Sequence, residues 1–179
     1  MRIAAAIIAV TVATMPLAHA QAPAPAPGAP AAVPEAMPFD IPYGTPINLD
    51  QAQKAIAAAM AEAKKHNWKM SITVVDPAGN MVADVTMDGT QYASIPISQA
   101  KARTAAIFRR ATGVFQAVVN TGGAPSTLSV LALAGGVASE GGFPIVIDGK
   151  LIGAIGASGG IFTQDGATAK AGLDALSGK

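Results

Sequence analysis

The stretch GGFPIVIDGKLIGAIGASGG, residues 141–160, decides how the chain is built. Phe143–Ile147 and Leu151–Ile155 are two short apolar runs separated by Asp148-Gly149-Lys150. Asp-Gly favours positive φ, so it turns a chain tightly enough to pair the two runs as a β-hairpin. Gly153, Gly156, Gly159 and Gly160 leave the second strand and its exit unusually bare. Glycine in a strand gives up side-chain packing, so repetition implies close backbone approach by a neighbour. That neighbour is a helix or a flat ligand, and helix packing is the simpler of the two.

Working outward, Met70–Val75 and Met81–Met87 read as strands, joined by the turn formers Asp76-Pro77-Ala78-Gly79-Asn80. The second alternates apolar and polar residues, which marks one wet face. Upstream, Asn48 with Gln51 has the form of a reciprocal helix cap. Leu49, Ala52, Ile56, Met60 and Ala63 follow at helical spacing, and Lys64, Lys65 and His66 suit the negative end of the dipole. Asn67 suits a left-handed stop. Ser94 and Pro96 open a second helix, roughly Ile97–Arg110, with Ala100, Thr104, Ile107 and Phe108 along one side. A shorter helix is expected around Val114–Val119 and a last one near Asp165–Leu176, with Leu173 and Leu176 toward the sheet. The stretch 120–142, with apolar Leu128–Leu133, is compatible with a third short strand. The order predicts a single α+β domain whose central antiparallel sheet is flanked by helices.

The chain begins with basic Arg2, an apolar run from Ile3 to Met15, and Ala18-His19-Ala20. This is the pattern of a secretory signal spanning 1–20, with the mature chain starting at Gln21 in the periplasm or outside the cell. The run is too short for a transmembrane helix, and no later segment of the needed length lacks charge. Residues 21–46 are rich in Ala and Pro and read as a linker, with the folded domain covering 47–179. Without Arg2 the chain has eleven basic and eleven acidic residues. That neutral balance argues against nucleic acid as a partner. There are no cysteines, so disulfides and cysteine lipid anchors are excluded.

Two motif matches fail on their context. Gly156-Ala157-Ser158-Gly159-Gly160 fits the hydrolase elbow G-x-S-x-G, yet no histidine follows His66 and the serine leaves a hairpin. Ser98-Gln99-Ala100-Lys101 fits S-x-x-K without its companion motifs. The glycine runs do not form a phosphate loop. One histidine in the mature chain excludes a closed structural zinc site. His66 has a capping role or serves as an axial haem ligand, and Met60, Met70, Met81 and Met87 are core residues by default. Asp84 and Asp88 are a solvated strand face and a turn residue, or share a cation. Lys101, Arg103, Arg109 and Arg110 cluster on one helix. Lys101 and Thr104 share a side, with Phe108 beyond. A cation beside an apolar groove suits a planar ligand bearing carboxylates. A salt bridge from Lys101 to Asp84 or Asp88 suits equally well.

Four blocks together carry a family resemblance: SITVVDPAGNMVADVTMDG (71–89), SIPISQAKARTAAIFRR (94–110), EGGFPIVIDGKLIGAIGASGG (140–160) and QDGATAKAGLDAL (164–176). In order and spacing the chain resembles the GlcG/HbpS family, the haem-degrading domain family related to the C-terminal domain of PduO-type proteins. The resemblance implies a profilin-like domain, homo-oligomeric assembly, and haem or a related tetrapyrrole as ligand, stored, sensed or degraded. It departs at Gly166, where the family commonly carries an acidic residue after Gln-Asp. On this resemblance, haem is expected between the hairpin glycines Gly153, Gly156 and Gly159 and the helix face of Lys101, Arg103, Thr104 and Phe108. Lys101 or Arg103 would pair with propionates. His66 or Thr112 is the expected iron ligand, with Thr104 a further threonine of the kind one branch uses. The alternative is a small-molecule enzyme or accessory factor acting on a hydroxy-acid-type carboxylate, and a third reading is an oligomeric scaffold without ligand. An exported chain fits the first better than cytosolic metabolism.

Overall fold

Asp148 and Gly149 both take positive φ, +50° and +73°, and turn β3 (Gly142–Ile147) directly into β4 (Lys150–Ser158). Ile147 pairs with Lys150 across this two-residue turn, as the Asp-Gly signal requires. The computed structural model describes residues 35–37, 39–122 and 125–178. The expected signal peptide and residues 21–34 of the linker lie outside the described residues.

The remaining elements are α1 (Leu49–Lys65), β1 (Ser71–Val75), β2 (Met81–Thr86), α2 (Ser94–Phe108), α3 (Thr112–Asn120), α4 (Pro125–Leu133) and α5 (Phe162–Ser177). The four strands form one antiparallel sheet in the order β2-β1-β4-β3. The hairpin reaches the first strand pair through β1 and β4, with Ser71 opposite Ser158 and Val75 opposite Ala154. The α+β class with a central antiparallel sheet is therefore the observed one. The expected cap on α1 is present: Asn48 Oδ1 accepts from the Gln51 N–H, and Gln51 Oε1 accepts from the Asn48 N–H. Asn67, just past the helix, sits at φ +57°.

The two sheet faces differ. On one, Ile72, Val74, Ile155 and Ala157 meet α1 (Ala52, Ala55, Ile56, Ala59) and α5 (Ala169) in a large apolar core. Leu173 and Leu176 pack against it, as their spacing predicted. On the other, α2 lies on Val75 and Ala154 through Ala102, Ala105 and Ala106. Residues 125–133 form a helix instead of the short strand expected within 120–142. Proline is favoured at the first helical position, because its missing N–H would be unbonded there anyway.

The folded unit also starts earlier than Ile47. The Gly44 N–H donates to Leu151 O, the Leu151 N–H to Pro42 O and the Ile47 N–H to Ile152 O, each at 2.7–2.8 Å. Residues 42–47 thus run beside β4 just beyond the end of β1. Among the described residues no helix is long and apolar enough to cross a membrane.

Candidate functional site

The hairpin glycines are bare because helices and strands occupy the space. A Cβ on Gly156 would run into Ser98 O and the backbone of Ala102 on α2. One on Gly153 would meet Val75 O and Ile47, and one on Gly159 would meet Lys69 O and Met70. Gly153, Gly156 and Gly159 therefore line packing contacts, not a ligand wall. This corrects the expected groove.

α2 buries the side marked by Ser98, Lys101, Ala102 and Ala105, one step round from the expected stripe. Lys101 is about 1% exposed, and its Nζ donates to Asp165 Oδ2 at 2.6 Å and to Ala157 O at 3.2 Å. It pairs with neither Asp84 nor Asp88, and it is not placed to meet a propionate. Burial pushes the Asp165 carboxyl up, against the pull of the Lys101 ammonium and the Gly160 N–H. Thr104 is also buried: its hydroxyl donates to Ala100 O and accepts from the Val137 N–H. Thr112, equally buried, accepts from the Gly142 N–H at 2.9 Å. Both threonine oxygens are committed to the fold. His66 caps α1, stacks on Trp68 at 4.4 Å and lies 3.2 Å from Glu62 Oε1 on the exposed surface.

Beneath α2 the sheet is polar. Thr86, Ser71, Ser98 and Thr73 form a continuous hydroxyl chain, and Thr73 donates to Asp84 at its end. Asp84 is thereby engaged, and no cluster of three metal-ligating residues occurs among the described residues. Gly166, where the family's acid is missing, is covered by Glu140. Its Oε1 lies 2.6 Å from where a Cβ on Gly166 would stand, so a carboxylate reaches that spot from before β3.

The residues left open on α2 divide between two concavities. Arg103 donates to Ala134 O at 3.0 Å and borders a groove of about 320 Å³ with Gly79, Met81, Pro96 and Gln99. Phe108 borders a cleft of about 200 Å³ with Arg110, Phe115, Ser126, Thr127 and Val130. Phe108 and Phe115 meet edge to face at 5.2 Å. The Arg110 guanidinium carbon lies 4.9 Å from the Phe115 ring centre and 3.5 Å from that of Phe39. Its Nε makes one long bond, 3.4 Å, to Phe108 O. Among the described residues it has no acidic partner. Burial lowers its pKa from the ordinary guanidinium value. The arrangement combines apolar aromatic walls, two hydroxyls and an uncompensated cation. Such a cleft suits an amphipathic ligand with an anionic group.

Of the expected site residues, the structure thus brings only Phe108 into this cleft. Arg110 belonged to the basic cluster on the second helix without a role of its own, while Phe115 and Phe39 carried no pattern. The run of uncharged residues from 111 to 139 was the available signal. It forms α3 and α4, where Val114, Leu128, Val130 and Leu133 remain exposed.

The model of the family described as haem-degrading protein HbpS-like matches residues 47–174. Protein GlcG of Escherichia coli strain K12 is 40% identical over 112 residues, covering 63% of this chain and 81% of its own. The crystal structure of a PduOC–haem complex superposes with a TM-score of 0.67 at 27% identity, covering 73% of this chain and 95% of that one. A Streptomyces reticuli HbpS double mutant superposes with the same TM-score of 0.67 at 28% identity, covering 82% and 99%.

Proposed function

This chain belongs to the HbpS-like family, and from that premise we propose that it binds haem or a related tetrapyrrole in the cleft between α2, α3 and α4. The observation that carries the reading is Arg110, a guanidinium set among aromatic rings beside an open apolar surface and lacking an acidic partner among the described residues. A porphyrin is flat, apolar across its face and anionic at its propionate edge, which matches those features one for one. The PduOC relative bound to haem supports the same ligand class.

A cleft of about 200 Å³ seats one edge of a macrocycle. The remainder would lie over the exposed apolar residues of α3 and α4, and a second copy of the chain would cover it there. We therefore place homo-oligomer contacts on this uncharged surface, since large exposed apolar areas mark association sites. Neither His66 nor Thr112 borders the cleft, and the proposal assigns no iron ligand. The signal-peptide pattern of residues 1–20 supports a location in the periplasm or outside the cell, where the protein would store, sense or degrade haem. Titrating the mature chain with haemin tests the reading. A saturable shift of the Soret band is expected, and a spectrum matching haemin with buffer alone would refute it.

A further inference from the structure

The end of the Ala/Pro-rich linker, residues 39–46 and here called the leader, does more than connect. Arg109 and Arg110, adjacent at the end of α2, both hold it. Arg109 takes a left-handed conformation, φ +54°, that ends the helix. Its Nη1 donates to Ile41 O at 2.8 Å, and its guanidinium lies 5.4 Å from the Tyr43 ring centre. Together with the backbone bonds of Pro42 and Gly44 to Leu151 on β4, this fixes where Phe39, two residues before Ile41, can reach. Phe39 lies over the Arg110 guanidinium at 3.5 Å, the nearest of the three rings around it.

A guanidinium carries five N–H donors in one plane. Arg110 spends only Nε within the described residues, on the long bond to Phe108 O. An aromatic ring against the face of that plane attracts the cation and leaves its edge open for in-plane hydrogen bonds. A carboxylate fits such an edge with two parallel bonds. We propose that the docked leader completes a carboxylate receptor: Phe39 covers the face of Arg110 and orients its free terminal nitrogens toward one carboxylate of the ligand in the cleft. Phe39 is then a positioning residue supplied by a segment whose composition reads as a spacer. The inference rests on the tetrapyrrole reading and adds a requirement for a free carboxylate and for the leader.

The experiment compares haemin with haemin dimethyl ester, which has the same ring and iron but no free carboxylates. Equilibrium titrations are run on the mature parent and on Phe39→Ala and Arg110→Ala variants. The parent should prefer haemin over the ester by about tenfold or more, the size expected for a charge-assisted hydrogen bond. Arg110→Ala should lose that preference. Phe39→Ala should lose most of it while binding the ester as the parent does. A Phe39→Ala chain that keeps the parent's full preference overturns the role of the leader and leaves haem binding standing. A parent that binds both ligands equally overturns the receptor alone. A parent that binds neither overturns the receptor together with the reading beneath it.

Discussion

The two faces of the sheet are held by different chemistry. Toward α1 and α5 the contacts are between aliphatic side chains, with Ile56, Ile72, Val74 and Ile155 buried together. Toward α2, beside the small apolar contact of Val75 and Ala154 with three alanines, the buried groups include Ser71, Thr73, Ser98, Thr104, Lys101 and Asp165, each joined to a partner. An apolar face tolerates small adjustments, because dispersion and the hydrophobic effect carry no direction. A polar face holds one arrangement, since any shift leaves a buried group unsatisfied. The side that must place α2, and with it Arg110, is the side built from directional contacts.

This contrast can be broken most severely at the ion pair. Asp165→Ala strands the buried Lys101 ammonium and should cost about 3–5 kcal/mol in urea-unfolding stability. Replacing both partners, Lys101→Met with Asp165→Leu, should recover most of that loss, because no charge is then left unpaired. If the single change matched the double one, the pair would not be holding the two helices as described.

Gly156→Val comes next, with an expected loss of about 3 kcal/mol from overpacking against α2. A variant as stable as the parent would mean that α2 stands off from β4. The smallest effects compare the faces directly. Ser98→Ala removes one oxygen from the hydroxyl chain and should cost about 2 kcal/mol. Ile56→Val removes one methylene from the apolar core and should cost about 1 kcal/mol. Thermal or urea melts that reversed this order would erase the distinction.

Local chemistry was legible in the sequence; long-range partnership was not. The Asp148-Gly149 turn, the Asn48–Gln51 cap and the Asp76–Asn80 loop each involve residues a few positions apart, where spacing dictates geometry. The hydrophobic period placed α1 on its face because its buried residues, Ala52, Ala55, Ile56, Ala59 and Ala63, are apolar. It misplaced α2, whose buried side contains Ser98 and Lys101, residues a periodicity argument assigns to water. Lys101 meets Asp165 across 64 positions, a pairing between the first turn of α5 and a helix on the other face of the sheet that no local pattern reveals. Arg103 and Arg110 look alike in sequence. Only tertiary contacts give one a backbone carbonyl and the other three aromatic rings. Phe39 lay within a proline-rich tract whose composition conceals its docking.

The central claim is that the tetrapyrrole is held on the α2 side of the sheet, in the cleft beside Arg110. Ferric haem is paramagnetic, so its position can be read from the broadening of backbone amide resonances in the labelled mature protein. The account predicts that sub-stoichiometric haemin broadens Phe115, Thr127 and Val130 first and leaves Ala55, Ala59 and Ala169, behind the sheet, sharp. Broadening centred on α1 and α5, with the Phe115 and Val130 signals unchanged, would contradict it.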